Sequence, residues 1–345
     1  MSALDERLMR RAIELARRGF PAPNPRVGCV IASGERVVGE GHHDHAGGPH
    51  AEVVALREAG RLAMGATAYV SLEPCDHHGR TPPCSLALIE AGIARVVAAA
   101  PDPNPIAAGG AARLRSAGIA VEVGLLQSEA EAVNAVFHFA MRHRRPMVCV
   151  KAAITLDGRI AWPDGRSRWI TGSEARRDGH RLRAEMGAVL VGRRTVEMDD
   201  PRLTVRNVPG VTNQPTRVVL DPSGALSRDR RVFTGPGRSL HVTGPDGPGD
   251  LRILTRSGTF RLSQLMSSLY QEGLIGLLIE GGARTISLFS SKDLIDVLEL
   301  YIAPKSFGQG LSWLNESPAK LKKYSIKEVR RLGNDYCLSC TRIRH

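Results

Sequence analysis

One histidine, one glutamate and two cysteines stand at a spacing that could hold a metal and use it. His50 and Glu52 are separated by a single alanine; Cys75 follows Glu73-Pro74, and Cys84 follows Thr81-Pro82-Pro83. An imidazole and two thiolates are borderline-to-soft donors, a set that suits Zn2+ and leaves one tetrahedral position open for water. Such an ion lowers the water's pKa from about 15.7 to roughly 7. Glu52, two residues past the first ligand, can take that proton and hand it to a departing amine. His-x-Glu followed by Pro-Cys and a second Cys is the general pattern of zinc-dependent base deaminases.

The residues from Asp76 to Pro83 separate the two cysteines, where most such deaminases have Cys-x-x-Cys. A structural zinc, or plain buried thiols, is the competing reading. A structural site wants a fourth protein ligand, which His77 or His78 could supply. Glu52 has no task in such a site, and this favours catalysis. Pro82 and Pro83 stiffen the return of the chain, and a thiolate at Cys84 gains from the dipole of the helix predicted to follow it.

Nearby polar residues fit substrate contacts. Asn24 is clamped between Pro23 and Pro25 and is aimed at small entropic cost; an ordinary turn asparagine is the plainer reading. His42, His43 and His45 could be further ligands, but with three already named they fit substrate or supporting positions better. His77 and Arg80, on the loop beside the metal, suit an anionic or polar substrate, with a solvated loop as the alternative.

These groups need elements to position them. Apolar periodicity predicts a helix over 4–18, ended by Gly19, and strands over 27–32 and 37–40 joined by a Ser33-Gly34-Glu35 turn. A helix from His50 to about Ala59 is stopped by Gly60. A strand over 66–72 delivers Glu73 and Cys75. A helix over 85–91, a strand over 95–100, a Pro101-Asp102-Pro103-Asn104-Pro105 loop, a helix over 111–117, a strand over 120–123 and a closing helix over 129–142 follow. The alternation predicts an α/β/α layered domain.

After Arg145-Pro146 the pattern restarts. The apolar run over 147–153 has Lys151 inside it, and Leu156-Asp157-Gly158 is a turn. Ser173 is a candidate N-cap for a helix reaching about Met186. Strands are predicted over 188–192, 216–220, 274–279, 298–303 and 336–343. Residues 199–206 read as a loop with a strand-like tail, and residues 235–250 as the most loop-like part. One buried strand runs into Glu280-Gly281-Gly282 and a helix starts at once, so backbone N–H groups could meet a phosphate there. A tight turn is an equal reading, because G-x-G-x-x-G is absent. This half has no metal triad, nucleophile elbow or Walker motif, and hydride transfer from a nicotinamide cofactor needs none of them.

A chain of 345 residues with 42% apolar content implies two domains, divided here into 1–145 and 146–345. The net charge of +12 admits nucleic acid or a phosphorylated small molecule. Its basic residues are spread along the chain and aromatics are only 4%, which weighs against a stacking platform for single strands. The mixed-charge N-terminus has no leader pattern, and no apolar run approaches a membrane span. A reducing cytoplasm, with no disulfide among the six cysteines, is therefore expected. Cys337 and Cys340 lack a second pair and lie in a strand-like run, so they are not read as a metal site.

Taken together, the motifs resemble the bifunctional riboflavin-biosynthesis deaminase/reductase family over nearly the whole chain. The likeness rests on Pro23-Asn24-Pro25-Arg26-Val27-Gly28, His50-Ala51-Glu52 and Ser71-Leu72-Glu73-Pro74-Cys75 through Cys84. In the second half it rests on Lys151 to Gly158, Trp169-Ile170-Thr171, Asp199 to Arg206 and Glu280-Gly281-Gly282. The long Cys-to-Cys insert is characteristic of that family. The resemblance implies an N-terminal cytidine-deaminase-like α/β/α domain with Zn2+ on His50, Cys75 and Cys84, catalytic Glu52, and substrate contacts at Asn24, His42, His77 and Arg80. That domain would deaminate 2,5-diamino-6-ribosylamino-4(3H)-pyrimidinone 5′-phosphate.

It likewise implies a C-terminal dihydrofolate-reductase-like α/β domain that reduces the ribosyl group to ribityl with NADPH, giving 5-amino-6-ribitylamino-uracil 5′-phosphate. By the same likeness Ala153, Trp169, Thr195, Asp199 and Gly282 would hold the cofactor. Lys151, Ser167, Arg183, Leu203, Arg206 and Glu280 would hold the substrate, with Arg183 and Arg206 suited to its phosphate. A homo-oligomer without nucleic-acid or membrane partners is also implied. Residues 305–323 look irregular beside a typical family tail. The two rivals are a nucleic-acid base deaminase with a basic binding domain, which predicts Cys-x-x-Cys spacing, and a non-catalytic zinc-stabilised module, which predicts that Glu52→Gln changes nothing.

Overall fold

The first helix, α1 (Ala3–Ala16), starts with a reciprocal cap. Ser2 Oγ accepts the Asp5 N–H at 3.2 Å, and the Asp5 carboxylate accepts the Ser2 N–H at 2.8 Å. The same carboxylate receives Arg95 and the Tyr69 hydroxyl, each at 2.8 Å, from the sheet beneath. The Arg95 guanidinium holds it well below the usual carboxylate range. The computed structural model describes residues 2–79, 82–166, 169–314 and 322–343. The chain divides into two compact units: Met1–Arg142 with Gly210–Asn213, and His143–Pro209 with Gln214–His345.

In the first unit five strands form one sheet: β1 (Gly28–Ser33), β2 (Arg36–His42), β3 (Thr67–Val70), β4 (Arg95–Ala98) and β5 (Ala120–Val123). Their order is β2-β1-β3-β4-β5, with β1 antiparallel to both neighbours and β3, β4 and β5 parallel. The helices are α2 (Ala51–Ala59), α3 (Cys84–Glu90), α4 (Gly110–Ser116), α5 (Gln127–Val133) and α6 (Ala135–His143). Helix α2 lies almost on the backbone of β2. A Cβ on Gly39 or Gly41 would stand 2.2 or 2.3 Å from the carbonyl oxygens of Ala55 or Ala51. Those two glycines set how near His50, at the helix start, comes to the sheet. The apolar core here is aliphatic, built on residues such as Ile31, Val70, Leu88, Val96 and Leu114.

The single closing helix predicted over 129–142 is two helices. Asn134 breaks it, because its side chain is committed elsewhere. Its Oδ1 accepts the Arg26 N–H and its Nδ2 donates to the Arg26 carbonyl, both at 2.8 Å.

The second unit contains β6 (Met147–Thr155), β7 (Arg159–Ala161), α7 (Ser173–Met186), β8 (Ala188–Gly192), α8 (Arg193–Asp199), β9 (Thr216–Leu220), α9 (Arg231–Thr234) and β10 (Ser239–Thr243). Then come β11 (Leu251–Arg252), β12 (Thr255–Arg256), β13 (Thr259–Phe260), α10 (Leu262–Gln271), β14 (Gly276–Ile279), α11 (Ala283–Ser291), β15 (Val297–Ala303), β16 (Leu311–Ser312), β17 (Tyr324–Leu332) and β18 (Asp335–Arg342). Nine strands make one sheet in the order β11-β10-β9-β8-β14-β6-β15-β18-β17. It is parallel from β11 to β15 and antiparallel over β15-β18-β17. Buried runs such as Ala188–Val191 and Gly276–Ile279 carry no alternation, as a strand covered on both faces requires.

Four expectations change here. Ser173 is the first helical residue of α7 rather than its cap; Gly172 is the N-cap, and Ser173 Oγ donates to Glu174. The loop-like stretch 235–250 contains β10, whose Leu240, His241 and Val242 are buried in the sheet. The tail over 203–206 forms no strand, because Leu203 and Asn207 have φ of 52° and 57°. The irregular segment 305–323 includes β16, paired with β7; its residues 315–321 lie outside the described residues. No helix among the described residues is long and apolar enough to cross a membrane.

Candidate active sites

Each of the three predicted ligands of the first unit sits at or beside the end of an element. His50 is the N-cap of α2, Cys75 follows β3, and Cys84 is the first residue of α3 behind Pro83. Their donor atoms lie within 4.8 Å of one another. His50 Nδ1 is 3.1 Å from Cys84 Sγ and 3.5 Å from Cys75 Sγ. Tetrahedral zinc, with its usual bond lengths, separates nitrogen and sulfur ligands by about 3.5 Å. The donor set and its spacing therefore fit Zn2+. Hydrogen bonding from Cys84 and then His50 holds the Cys75 thiol well below its ordinary value against the effect of burial, so a thiolate is available to a metal.

Glu52 stands one half-turn into α2 and is 3% exposed. Burial pushes its carboxyl up to about 7, with Cys75 adding to the rise and His50 opposing it. A cation on the triad would pull it down again, giving a carboxylate able to exchange a proton near neutrality.

His43 is better placed than its neighbours to support the triad. Its ring meets that of His50 edge-on at 5.3 Å, its Nδ1 donates to the Pro49 carbonyl at 3.0 Å, and its Nε2 accepts from Asn24 Nδ2 at 3.1 Å. Burial lowers its pKa, which keeps the ring neutral. Asn24 is thus joined to the metal site through His43. His42 lies 3.7 Å from the Asp44 carboxylate and is part-exposed. His77 is half-buried, and its Nδ1 has no hydrogen-bond partner among the described residues. Arg80 lies outside the described residues.

Sequence reasoning missed how the cysteine loop is held. Glu73 accepts the backbone N–H groups of Asp102, Gly109 and Ala111 at 3.3, 3.3 and 3.0 Å. Asp76 accepts Ser85 Oγ at 2.6 Å and also Arg113. Burial raises Asp102, beside Glu73, to about 6. The one available signal was the rigid Pro101-Asp102-Pro103-Asn104-Pro105 loop.

The second unit has a cleft of about 2150 Å³. Lys151, Ala153, Trp169, Arg183, Thr195, Asp199, Leu203, Arg206, Glu280 and Gly282 all line it. Ser167 lies outside the described residues. The parallel strands bring the group together: β6 carries Lys151 and Ala153, β8 leads into Thr195, and β14 leads into Glu280. Strands β8 and β14 both end against Thr285, since a Cβ on Gly192 would stand 2.7 Å from its Oγ1 and one on Gly281 2.8 Å from its Cβ. Gly282 is the N-cap of α11, with nothing within 4 Å of its Cβ position.

Charge in the cleft is arranged in pairs. Glu280 grips Arg183 with two bonds, Nε–Oε1 at 2.6 Å and NH2–Oε2 at 2.7 Å. Burial alone would raise Glu280, but the Arg183 charge overrides it and holds the carboxyl at about 2. Arg183 NH1 and His180 Nδ1 both donate to the Thr204 carbonyl. The fork of Arg183 is thereby spent on the protein. Among the described residues Arg206 spends only NH1, on Thr204 Oγ1 at 2.7 Å, and burial followed by the nearby charges of Arg183, Arg202 and Arg231 lowers its pKa. Arg206 is therefore the cation better placed to meet a phosphate. Trp169 is exposed, with the Arg176 guanidinium 4.7 Å above its ring.

Residues 146–338 match the model of the RibD C-terminal domain, and residues 2–100 match that of the cytidine and deoxycytidylate deaminase zinc-binding region. The riboflavin biosynthesis protein RibD of Escherichia coli (strain K12) is 43% identical over 97% of this chain and 98% of its own; that of Aquifex aeolicus is 42% identical over 96% and 97%. The chain belongs to the RibD family. It is a bifunctional riboflavin-biosynthesis deaminase/reductase. Among solved structures, Acinetobacter baumannii RibD (form 1) superposes with a TM-score of 0.90 at 41% identity, covering 99% of both chains. A Thermotoga maritima protein described as a diaminohydroxyphosphoribosylaminopyrimidine deaminase/5-amino-6-(5-phosphoribosylamino)uracil reductase gives 0.86 at 35% identity and the same coverage. The cytidine-deaminase-like and dihydrofolate-reductase-like α/β domains expected from the sequence are those found, the second as the RibD C-terminal domain.

Proposed function

We propose that residues 1–145 deaminate 2,5-diamino-6-ribosylamino-4(3H)-pyrimidinone 5′-phosphate and that residues 146–345 then reduce its ribosyl group with NADPH. The observation that carries the first step is Glu52, a buried carboxylate on the same helix turn as His50 and beside converging soft donors. His50, Cys75 and Cys84 would hold the metal. When bound, Zn2+ would polarise a water and lower its pKa toward 7. Glu52 takes the proton of the attacking water and returns it to the amine that leaves the pyrimidine ring. Asn24 spends one amide N–H on His43 and keeps the other and its carbonyl oxygen for the ring. His42, His77 and Arg80 complete the substrate contacts.

In the second step bound NADPH would be the hydride source for C1′ of the ribosylamine. Ala153, Trp169, Thr195, Asp199 and Gly282 hold the cofactor. Lys151, Ser167, Leu203 and Arg206 hold the substrate, with Arg206 on its phosphate. Glu280 faces the sugar and is kept ionised and fixed by Arg183. We assign a reducing, cytoplasmic compartment, which the six unpaired cysteines support. We also assign a homo-oligomer, which exposed Ile326 and Val329 on the outermost strand β17 support.

The test is NADPH oxidation at 340 nm with purified wild type and Glu52→Gln. Wild type oxidises NADPH when given the diamino substrate, and the variant does so only when given the deaminated intermediate. Absence of oxidation by wild type with either compound overturns the reductase assignment.

A further inference from the structure

Lys151 has no hydrogen-bond acceptor among the described residues, although it lines the reductase cleft. The charge of Glu280 attracts its ammonium across the cleft, but what the ammonium rests on is the face of a tyrosine: Nζ lies 5.4 Å from the ring centroid of Tyr301. Strand register explains the contact. Glu299 of β15 pairs with Lys151 of β6, and Tyr301 pairs with Ala153, so Tyr301 is the diagonal neighbour on the same face.

Tyr301 is fully buried and is itself anchored. Its hydroxyl donates to Asp178 Oδ2 at 2.7 Å, and the other Asp178 oxygen accepts Arg330 NH1 at 2.9 Å. Arg330 reaches on to Glu299 at 3.2 Å, and Glu299 also accepts Cys337 Sγ at 3.1 Å and Ser339 Oγ at 2.6 Å. A polar layer thus runs from the outermost strand β17 under helix α7 to the cleft.

We propose that Tyr301, clamped by Asp178 and Arg330, is the positioning residue for Lys151 in the reductase step. The ring offers the ammonium an attractive surface that takes up none of its three N–H donors. Lys151 is therefore held in place and still has every donor for the substrate. A carboxylate hydrogen-bonded to the ammonium would hold it too, but would compete with the ligand for those donors; Glu280 attracts it without such a bond, being committed to Arg183. The hydroxyl-to-Asp178 bond sets the tilt of the ring and so the height of the ammonium in the cleft.

This inference rests on the assignment of Lys151 to the reductase site. The experiment uses the full chain and keeps ammonia release from the diamino substrate as an internal control of folding. Reductase kcat and KM are measured for Tyr301→Leu, Tyr301→Phe, Asp178→Asn, Lys151→Met and the Tyr301→Leu/Lys151→Met double variant. Calorimetric binding of the deaminated intermediate to NADPH-free protein serves as the readout where turnover is below detection. Tyr301→Leu is expected to lose roughly ten- to thirty-fold in kcat/KM, and Tyr301→Phe, which keeps the ring, less. Asp178→Asn falls between them. Deamination is unchanged throughout, and in the Lys151→Met background Tyr301→Leu has no further effect.

Multiplying effects in the double variant would assign Tyr301 a merely structural role and overturn the proposal. So would wild-type reduction by Tyr301→Leu when Lys151→Met is impaired. Wild-type reduction by Lys151→Met itself would instead overturn the reading of Lys151.

Discussion

The two sites are built in opposite ways. The proposed metal site takes its three candidate ligands and Glu52 from 35 consecutive residues, His50 to Cys84, each ligand at or near the edge of an element. The reductase cleft draws on residues from Lys151 to Gly282, delivered by separate parallel strands and the loops after them. A metal demands few donors at tight distances, and local sequence can meet that demand. A cofactor and a sugar phosphate demand a long surface, and only a sheet can assemble it. The first site is thus easy to destroy with one atom change, whereas the second should yield by degrees.

The largest effect sharpens this contrast. Glu52→Gln should lower deamination by about 10²–10⁴-fold while leaving reduction of the deaminated intermediate intact, measured by ammonia release and NADPH oxidation. Cys84→Ala, or removal of the metal with a chelator, should abolish deamination and bound zinc together, and metal analysis by mass spectrometry follows the loss. Reduction that falls in parallel with zinc would break the idea of two independent sites.

In the cleft, Glu280→Gln leaves the half-buried Arg183 charge without its partner. Losing one member of such a pair costs about 3–5 kcal/mol, which thermal unfolding of the second unit would register along with weakened, not abolished, reduction. The pair also sets an acid limit. The folded carboxyl titrates at about 2 against an ordinary 4.5, so its contribution is complete above about 4.5 and is lost as the pH falls toward 2. An acid-unfolding curve for Glu280→Gln should lack that part of the slope. Smaller again, Arg206→Met should raise KM for the phosphorylated intermediate by about tenfold with kcat little changed, as expected for one exposed charge on a phosphate. A fall in kcat instead would place Arg206 at the reacting carbon. The smallest change is Ser2→Ala, which removes the α1 cap and should cost about 1 kcal/mol of first-unit stability, read as a lower unfolding midpoint.

What the sequence made legible follows the same division. The triad, Glu52, and the strands and helices around them were readable because apolar periodicity and turn residues mark each boundary within a residue or two. Helix α2, for instance, ends at Ala59 just before Gly60, which has φ 52°. The capture of Arg183 by Glu280 was not readable. The two residues are 97 positions apart, and only the packing of α7 beside β14 joins them. Strand β10 was hidden by flanking glycines and prolines that belong to its turns. Strand β17 was hidden because its Lys327, Glu328 and Val329 are exposed, so no buried face imposes alternation. The helix break at Asn134 was invisible for a related reason: the residue fits a helix locally and is diverted by a partner 108 positions away.

That diversion bears on the order of events during synthesis. Asn134 gives Arg26 both hydrogen bonds that a neighbouring strand would have given it. Arg26 follows Asn24 by two residues, in the loop that reaches His43. On the ribosome this loop therefore waits for its fastening until more than a hundred further residues have emerged. The metal-ligand candidates are all made before then, and the loop that reaches His43 is fastened after them. A nascent chain cut short before residue 134 would carry all three metal-ligand candidates and lack both fastenings of that loop, so on the function proposed above metal capture would precede a finished deaminase site.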